Sequence, residues 1–224
     1  MEYIMMKANF EKVPADWKRK PYFDYYHTKI KSKYNINHHI DITEFLKVIR
    51  SRGLKFYPSF LYVIIHQVNQ HEEFRMSFDE HGNLGYWNYV VPSYTIFHKD
   101  DCTFSDLWSN YNPNFKVFYE TVLVDMNQYK DVKKIKARPN QPRNFCPISV
   151  LPWLSFHSIS QDTYSEGDML FPLIRFGKYY EENGRFKLPF SIFVNHAVAD
   201  GYHTAQLIND IEAFGRDARQ WVGA

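Results

Sequence analysis

Two runs of strand-forming residues flank Asn183-Gly184, and the second leads directly into a helical pattern. The runs are Leu170 to Glu181 and Arg185 to Val194. In the second, Leu188, Phe190, Ile192 and Val194 alternate with polar or smaller residues, the period of two that buries one face of a strand. Asn-Gly suits a type I′ turn, because both central residues there need positive φ. From about His203 to Phe214, Leu207, Ile208 and Ile211 share one helical face. A hairpin that feeds a helix obliges this third of the chain to build a sheet with a helix laid on it.

The remainder interleaves both element types without a strict βαβ rhythm. Asp16 to Tyr26 has helical spacing with a late start at Pro21, and Ile30 to Ile42 alternates as a strand. Thr43 is placed as the N-cap of a helix ending near Gly53, and Pro58 as the first residue of a helix to His71 with Phe60, Leu61, Ile64, Ile65 and Val68 on its apolar face. Arg75 to Phe78 and Leu84 to Trp87 flank a turn at His81-Gly82-Asn83, and Ser93 to His98 reads as a further strand. Ser105 to Tyr129 is expected to be mostly helical, reset at Pro113, and Ser149 to His157 to be strand. Lys130 to Pro147, rich in Lys, Arg and Pro, is the best candidate boundary; it reads as a solvated loop, with a phosphate-attracting patch as the sharper alternative. The expectation is α/β (α+β), a mixed sheet with packed helices in one domain, residues 1–224.

Composition narrows the function. The 27 basic and 25 acidic residues leave a net charge of only +2, too little for a polyanion-binding surface, so no nucleic-acid partner is expected. Hydrophobic residues at 45% exclude a disordered or fibrous chain. Aromatics at 18% favour a strand-rich core or an aromatic-lined pocket. Cys102 and Cys146 are too few for a disulfide scaffold and suit a reduced compartment. Met1 to Phe10 offers no signal-like apolar stretch, and Phe60 to Ile65 is far short of the roughly 20 residues that span a bilayer, so a soluble, cytoplasmic protein without a membrane partner is expected.

The richest stretch for chemistry is Val194-Asn195-His196-Ala197-Val198-Ala199-Asp200-Gly201-Tyr202-His203. His196 emerges where a strand ends, and a neutral imidazole is a natural general base near pH 7. Residue types alone equally fit a strand-end histidine beside an N-capping aspartate. His38-His39 and His196/His203 come without a metal-binding pattern, and neither cysteine sits in a nucleophile signature, so no metal and no Cys-His chemistry is expected.

His-x-x-x-Asp-Gly at His196, Asp200 and Gly201 resembles the signature of the chloramphenicol acetyltransferase family, within the coenzyme A-dependent acyltransferases. Other segments match the family in order and spacing: Trp17-Lys18-Arg19, Lys55-Phe56-Tyr57-Pro58, Glu73-Phe74-Arg75, Ser93 to His98, Thr103 to Trp108, Ile148-Ser149 to Trp153, and Gly177-Lys178-Tyr179-Tyr180. The likeness runs from about residue 7 to 214. It implies a sandwich-like fold assembled as a homotrimer, with active sites between subunits. It also implies O-acetyl transfer from acetyl-CoA, a co-substrate and not a bound cofactor, to a hydroxyl of chloramphenicol or a related small molecule. By the same resemblance His196 is the general base, Ser149 donates to the tetrahedral oxyanion, and Asp200 is structural, paired with Arg19. Tyr57, Trp153, Lys178 and Tyr179 match the coenzyme end; Tyr25, Tyr26 and Phe104 match the antibiotic pocket.

The departures cluster. Arg175 replaces a threonine that orders a water at the tetrahedral intermediate; an arginine there either stabilises the oxyanion itself or occludes the site. Ile159 to Thr163 differs from the usual pocket segment, Pro147 stands where asparagine is frequent, and Asn195 and Ala199 are changed within the motif. By this resemblance the catalytic centre is largely retained while the acceptor pocket is altered, which leaves two alternatives open: an acetyltransferase for another hydroxylated acceptor, or a catalytically impaired binding or scaffold homologue.

Overall fold

A computed structural model of the chain describes residues 6–161 and 169–223. In chain order the elements are β1 (Phe10–Lys12), α1 (Lys20–Asp24), β2 (Lys33–Asp41), α2 (Thr43–Ser51), α3 (Phe56–Val68), β3 (Met76–Phe78), β4 (Leu84–Trp87), β5 (Val91–His98), β6 (Thr103–Trp108), α4 (Phe115–Tyr129), β7 (Phe145–Leu151), β8 (Leu173–Gly177), β9 (Tyr180–Glu182), β10 (Arg185–Asn195) and α5 (Gly201–Arg216). The main sheet runs β2-β10-β8-β7-β5-β6, with β9 also on β10; β1, β4 and β3 form a small antiparallel sheet. The pairs β7–β8 and β5–β7 are parallel and the others antiparallel, so the sheet is mixed, as expected.

Register gives the main sheet two unlike faces. Ile192, Ile174, Ile148, Tyr94 and Leu107 pair in one row across five strands and are all at most 1% exposed. This face carries α3 and α5. One residue along, on the opposite face, Asn37, Ser191, Arg175 and Ser149 form a polar row. The segment from Phe156 to Gln161 crosses that row: Ile159 O accepts from Asn35 Nδ2 and Ser191 Oγ, and its N–H donates to Asn37 Oδ1. Apolar burial behind and polar residues in front fix which face is free for chemistry.

Several expectations need correction. Ser105 to Tyr129 is not one helix: Thr103–Trp108 pairs antiparallel with β5, and α4 starts only after Asn114, whose side chain accepts from Val117 N. Leu170 to Glu181 is not one strand; it breaks after Gly177, where Lys178 N turns to Leu154 O and a Cβ on Gly177 would meet that same carbonyl oxygen at 2.8 Å. Thr43 is already helical, and its hydroxyl accepts from Phe186 N while Asp41 accepts its amide. Pro58 is the third residue of α3, and that helix is buried nearly all round because α4 and α5 pack on its outer side. β7 starts at Phe145 and stops at Leu151, short of His157. The basic segment is a largely exposed loop, as expected, up to β7 at Phe145, but it is anchored midway: Arg138 pairs with Asp125 at 2.7 Å and lies over the Trp108 ring, and Ala137 is buried. Asn183 and Gly184 have φ of 51° and 74°, as the type I′ turn requires.

Candidate active site

β10 ends at Asn195, and the chain turns tightly through His196–Asp200 into α5. Asn195 holds this turn: its Oδ1 accepts from Ala197 N and its backbone carbonyl from Val198 N. His196 N donates to Ser32 O at 3.0 Å, which ties the base to the approach of β2. The imidazole is sandwiched by aromatics. Tyr26 stacks on it at 3.8 Å and Tyr34 meets it edge-on at 5.3 Å. Its Nδ1 is enclosed and has no hydrogen-bond partner among the described residues.

Asp200 caps α5 through the amides of Tyr202 and His203. Arg19 Nη1 reaches its Oδ2 at 3.0 Å, and His203 Nδ1 lies 2.8 Å from Oδ1. Burial disfavours the charged form of Asp200, but Arg19 and His203 outweigh it and hold the carboxyl at about 2, below its ordinary 3.8. Its hydrogen bonds run to the first turn of α5 and to Arg19 ahead of α1, and none reaches His196. His203 also faces Glu73 at 3.6 Å, which draws that family-like segment into the same cluster.

Tyr34 is a neighbour of His196 that the sequence pattern hid, because strand alternation marks it only as half-buried. Its hydroxyl lies 2.6 Å from Thr204 Oγ1 and bonds Ala199 O, linking β2 to the end of the turn and the start of α5. Burial pushes this phenol up to about 12.

Ser149 lies elsewhere. It pairs with Arg175, which pairs with Ser191, five residues before His196 on β10. At about 3.3 Å per residue and about 4.8 Å per strand, this puts Ser149 roughly 16 Å along and 10 Å across from His196. Two cavities meet at Ser149 and Thr95. One, of about 250 Å³, is walled by Phe97, Phe104 and Trp153, with Trp153 edge-on to Phe97 at 4.7 Å. The other, of about 170 Å³, carries Arg175, Lys136 and Asp106. Arg175 is buried and donates to Gln161 Oε1. Asp162 and Thr163 of the altered pocket segment lie outside the described residues.

The remaining expected site residues divide. Trp153 and Phe104, matched to opposite substrates, share one cavity. Tyr26 joins His196, and Tyr25 is half-exposed against Tyr26. Tyr57 lies on the helical side with its hydroxyl on Thr95 O; Tyr179 packs on Phe56 near Arg50, and Lys178 is exposed, so these three do not line the Trp153 cavity. Among the described residues no group of three His, Cys, Asp or Glu gathers as a metal site, no helix is long and apolar enough to cross a membrane, and both cysteines are free.

This sheet, with a strand-end histidine ahead of an Arg–Asp-braced turn, has the fold of an acetyltransferase core. It is similar to a solved chloramphenicol acetyltransferase (TM-score 0.80, 20% identity, 92% of this chain and 99% of that one). It is also similar to a dihydrolipoamide acetyltransferase of Azotobacter vinelandii (TM-score 0.66, 17% identity, 96% and 94%). The family model for chloramphenicol acetyltransferase matches residues 8–212. A chloramphenicol acetyltransferase of Clostridium perfringens is 39% identical over 218 residues, 97% of this chain and 99% of the relative. The chain belongs to the chloramphenicol acetyltransferase family, and with it to the acyltransferases.

Proposed function

We propose that the chain, acting as one domain of residues 1–224, transfers acetyl from acetyl-CoA to a hydroxyl of chloramphenicol or a related small molecule. The observation that carries this is His196, presented at the end of β10 between Tyr26 and Tyr34 and ahead of the turn braced by Arg19 and Asp200, in a member of this family.

Both substrates bind before chemistry. His196, through Nε2, takes the proton of the acceptor hydroxyl as its oxygen bonds to the thioester carbonyl carbon. The carbonyl becomes a tetrahedral oxyanion, to which Ser149 donates a hydrogen bond, a contribution typically worth about 3–4 kcal/mol. The C–S bond then breaks, the imidazolium returns the proton to sulfur, and the ester and coenzyme A leave. Arg19 and Asp200 are positioning residues. The family resemblance gives Trp153, Tyr57, Lys178 and Tyr179 to the coenzyme and Tyr25, Tyr26 and Phe104 to the acceptor. Within one copy the geometry supports Trp153 and Tyr26 only, since Tyr57, Lys178 and Tyr179 lie outside the Trp153 cavity and Phe104 lies within it.

A base and an oxyanion donor must both lie within hydrogen-bond reach of one reacting centre. The separation of His196 from Ser149 by register favours a site completed by two copies; the homotrimer and the cytoplasmic location are carried over from the family resemblance. Arg175 beside Ser149 favours a second reading, an acceptor other than chloramphenicol.

The test is coenzyme A release from acetyl-CoA, followed with a thiol reagent. The expected result is chloramphenicol-dependent release, slower than a resistance enzyme's, that falls about 10²–10⁴-fold in His196→Ala. Acceptor-dependent release that survives His196→Ala overturns the mechanism.

A further inference from the structure

Arg175 is a buried cation without an anionic partner among the described residues. It is 9% exposed; Nη2 donates to the neutral Gln161, and Nη1 is closed off from water with no hydrogen-bond partner among the described residues. Burial lowers its pKa, yet a guanidinium keeps its proton at neutral pH. A desolvated charge without a partner is costly, so a site built around one is incomplete until an anion arrives. The other charges on the cavity wall do not supply that anion: Asp106 is already held by Lys136 at 2.8 Å, which leaves the lining with one uncompensated positive charge.

The cavity opens at Ser149, where the thioester carbonyl is proposed to sit. The pantetheine arm that carries the thioester is uncharged over its whole length, and its phosphates lie at the far end. The bound coenzyme therefore brings no resident anion to Arg175, since the oxyanion at Ser149 exists only during reaction, and the adjoining aromatic cavity of Phe97, Phe104 and Trp153 suits uncharged groups better. We propose that Arg175 receives a carboxylate of the acceptor, so that the preferred acceptor is a hydroxylated small molecule bearing one negative charge. This rests on the acetyl-transfer reading and names its substrate class.

The test uses two acceptors that differ in one group: the nitrophenyl aminodiol of chloramphenicol acylated on nitrogen with succinic acid, and the methyl ester of that same compound. Binding is measured by calorimetry and turnover by coenzyme A release. The wild type is expected to bind the carboxylate about 10- to 100-fold more tightly than the ester, as a charge-assisted hydrogen bond gives. Arg175→Gln is expected to abolish that preference and Arg175→Lys to keep part of it. Equal binding of both compounds by the wild type overturns the proposal and needs no variant to be folded. A preference that persists in Arg175→Gln overturns it too, as does an equal loss of turnover on both acceptors in that variant, which assigns Arg175 to the oxyanion alone. Preferential binding of the carboxylate without turnover of either compound supports the anion site and counts against the acetyl-transfer reading.

Discussion

Both oxygens of Asp200 are engaged, Oδ2 by Arg19 and Oδ1 by His203 and the amides that open α5, so its charge acts on the turn and reaches His196 only through the backbone. Arg19→Ala leaves the carboxylate without its cation. The carboxylate is 38% exposed, which keeps the loss near 1 kcal/mol and below that of a buried pair. Because the folded pKa is depressed, the stabilisation is complete above the unfolded value of 3.8 and is lost as pH falls through about 2. The melting-temperature gap between wild type and Arg19→Ala is therefore full at pH 7 and closes between about pH 4 and 2. A gap that widens in acid contradicts this. Tyr34→Phe tests the other brace. It unpairs Thr204 Oγ1 from the phenol and loosens the turn, so kcat is expected to fall several-fold while KM for acetyl-CoA stays unchanged. A change confined to KM would place Tyr34 in binding.

At the scale of elements, the β9–β10 hairpin and α5 deliver His196, and the hairpin depends on its turn. Gly184, at φ 74°, adopts a conformation that an L side chain resists. Gly184→Ala is expected to cost about 1 kcal/mol in denaturant unfolding with specific activity intact, since the turn lies at the far end of β10 from His196. This hairpin was legible because the turn chemistry and the alternation of Leu188 to Val194 agree. β6 was not. Thr103 to Trp108 is only six residues long, shows no clean alternation and stands close ahead of the helical run that starts at Phe115; what makes it a strand is pairing with β5, information that lies outside the segment. The break after Gly177 was hidden for the same reason, because its cause is the Leu154 carbonyl packed against it.

For the whole molecule, the main sheet spends one face on the core and leaves Asn37, Ser191, Arg175 and Ser149 on the other. The residues proposed for the site, His196, Asp200, Arg19 and Ser149, stood out in the sequence because they sit in motifs with fixed spacing, and the pairing of Arg19 with Asp200 is present in the fold. Their distribution was not. Two strand spacings and five residues of register put the base and the oxyanion donor in different places within one copy, and only the folded sheet reveals that distance. Mixing two inactive variants tests this account most directly: His196→Ala and Ser149→Ala copies are co-expressed in equal amounts, purified together without separating mixed from unmixed assemblies, and assayed for coenzyme A release. If each site joins His196 of one copy to Ser149 of another, about one quarter of wild-type activity returns, the statistical share of interfaces that receive both intact residues. Activity no greater than the average of the two variants assayed alone would show that both residues act within the same copy, and would contradict the shared site.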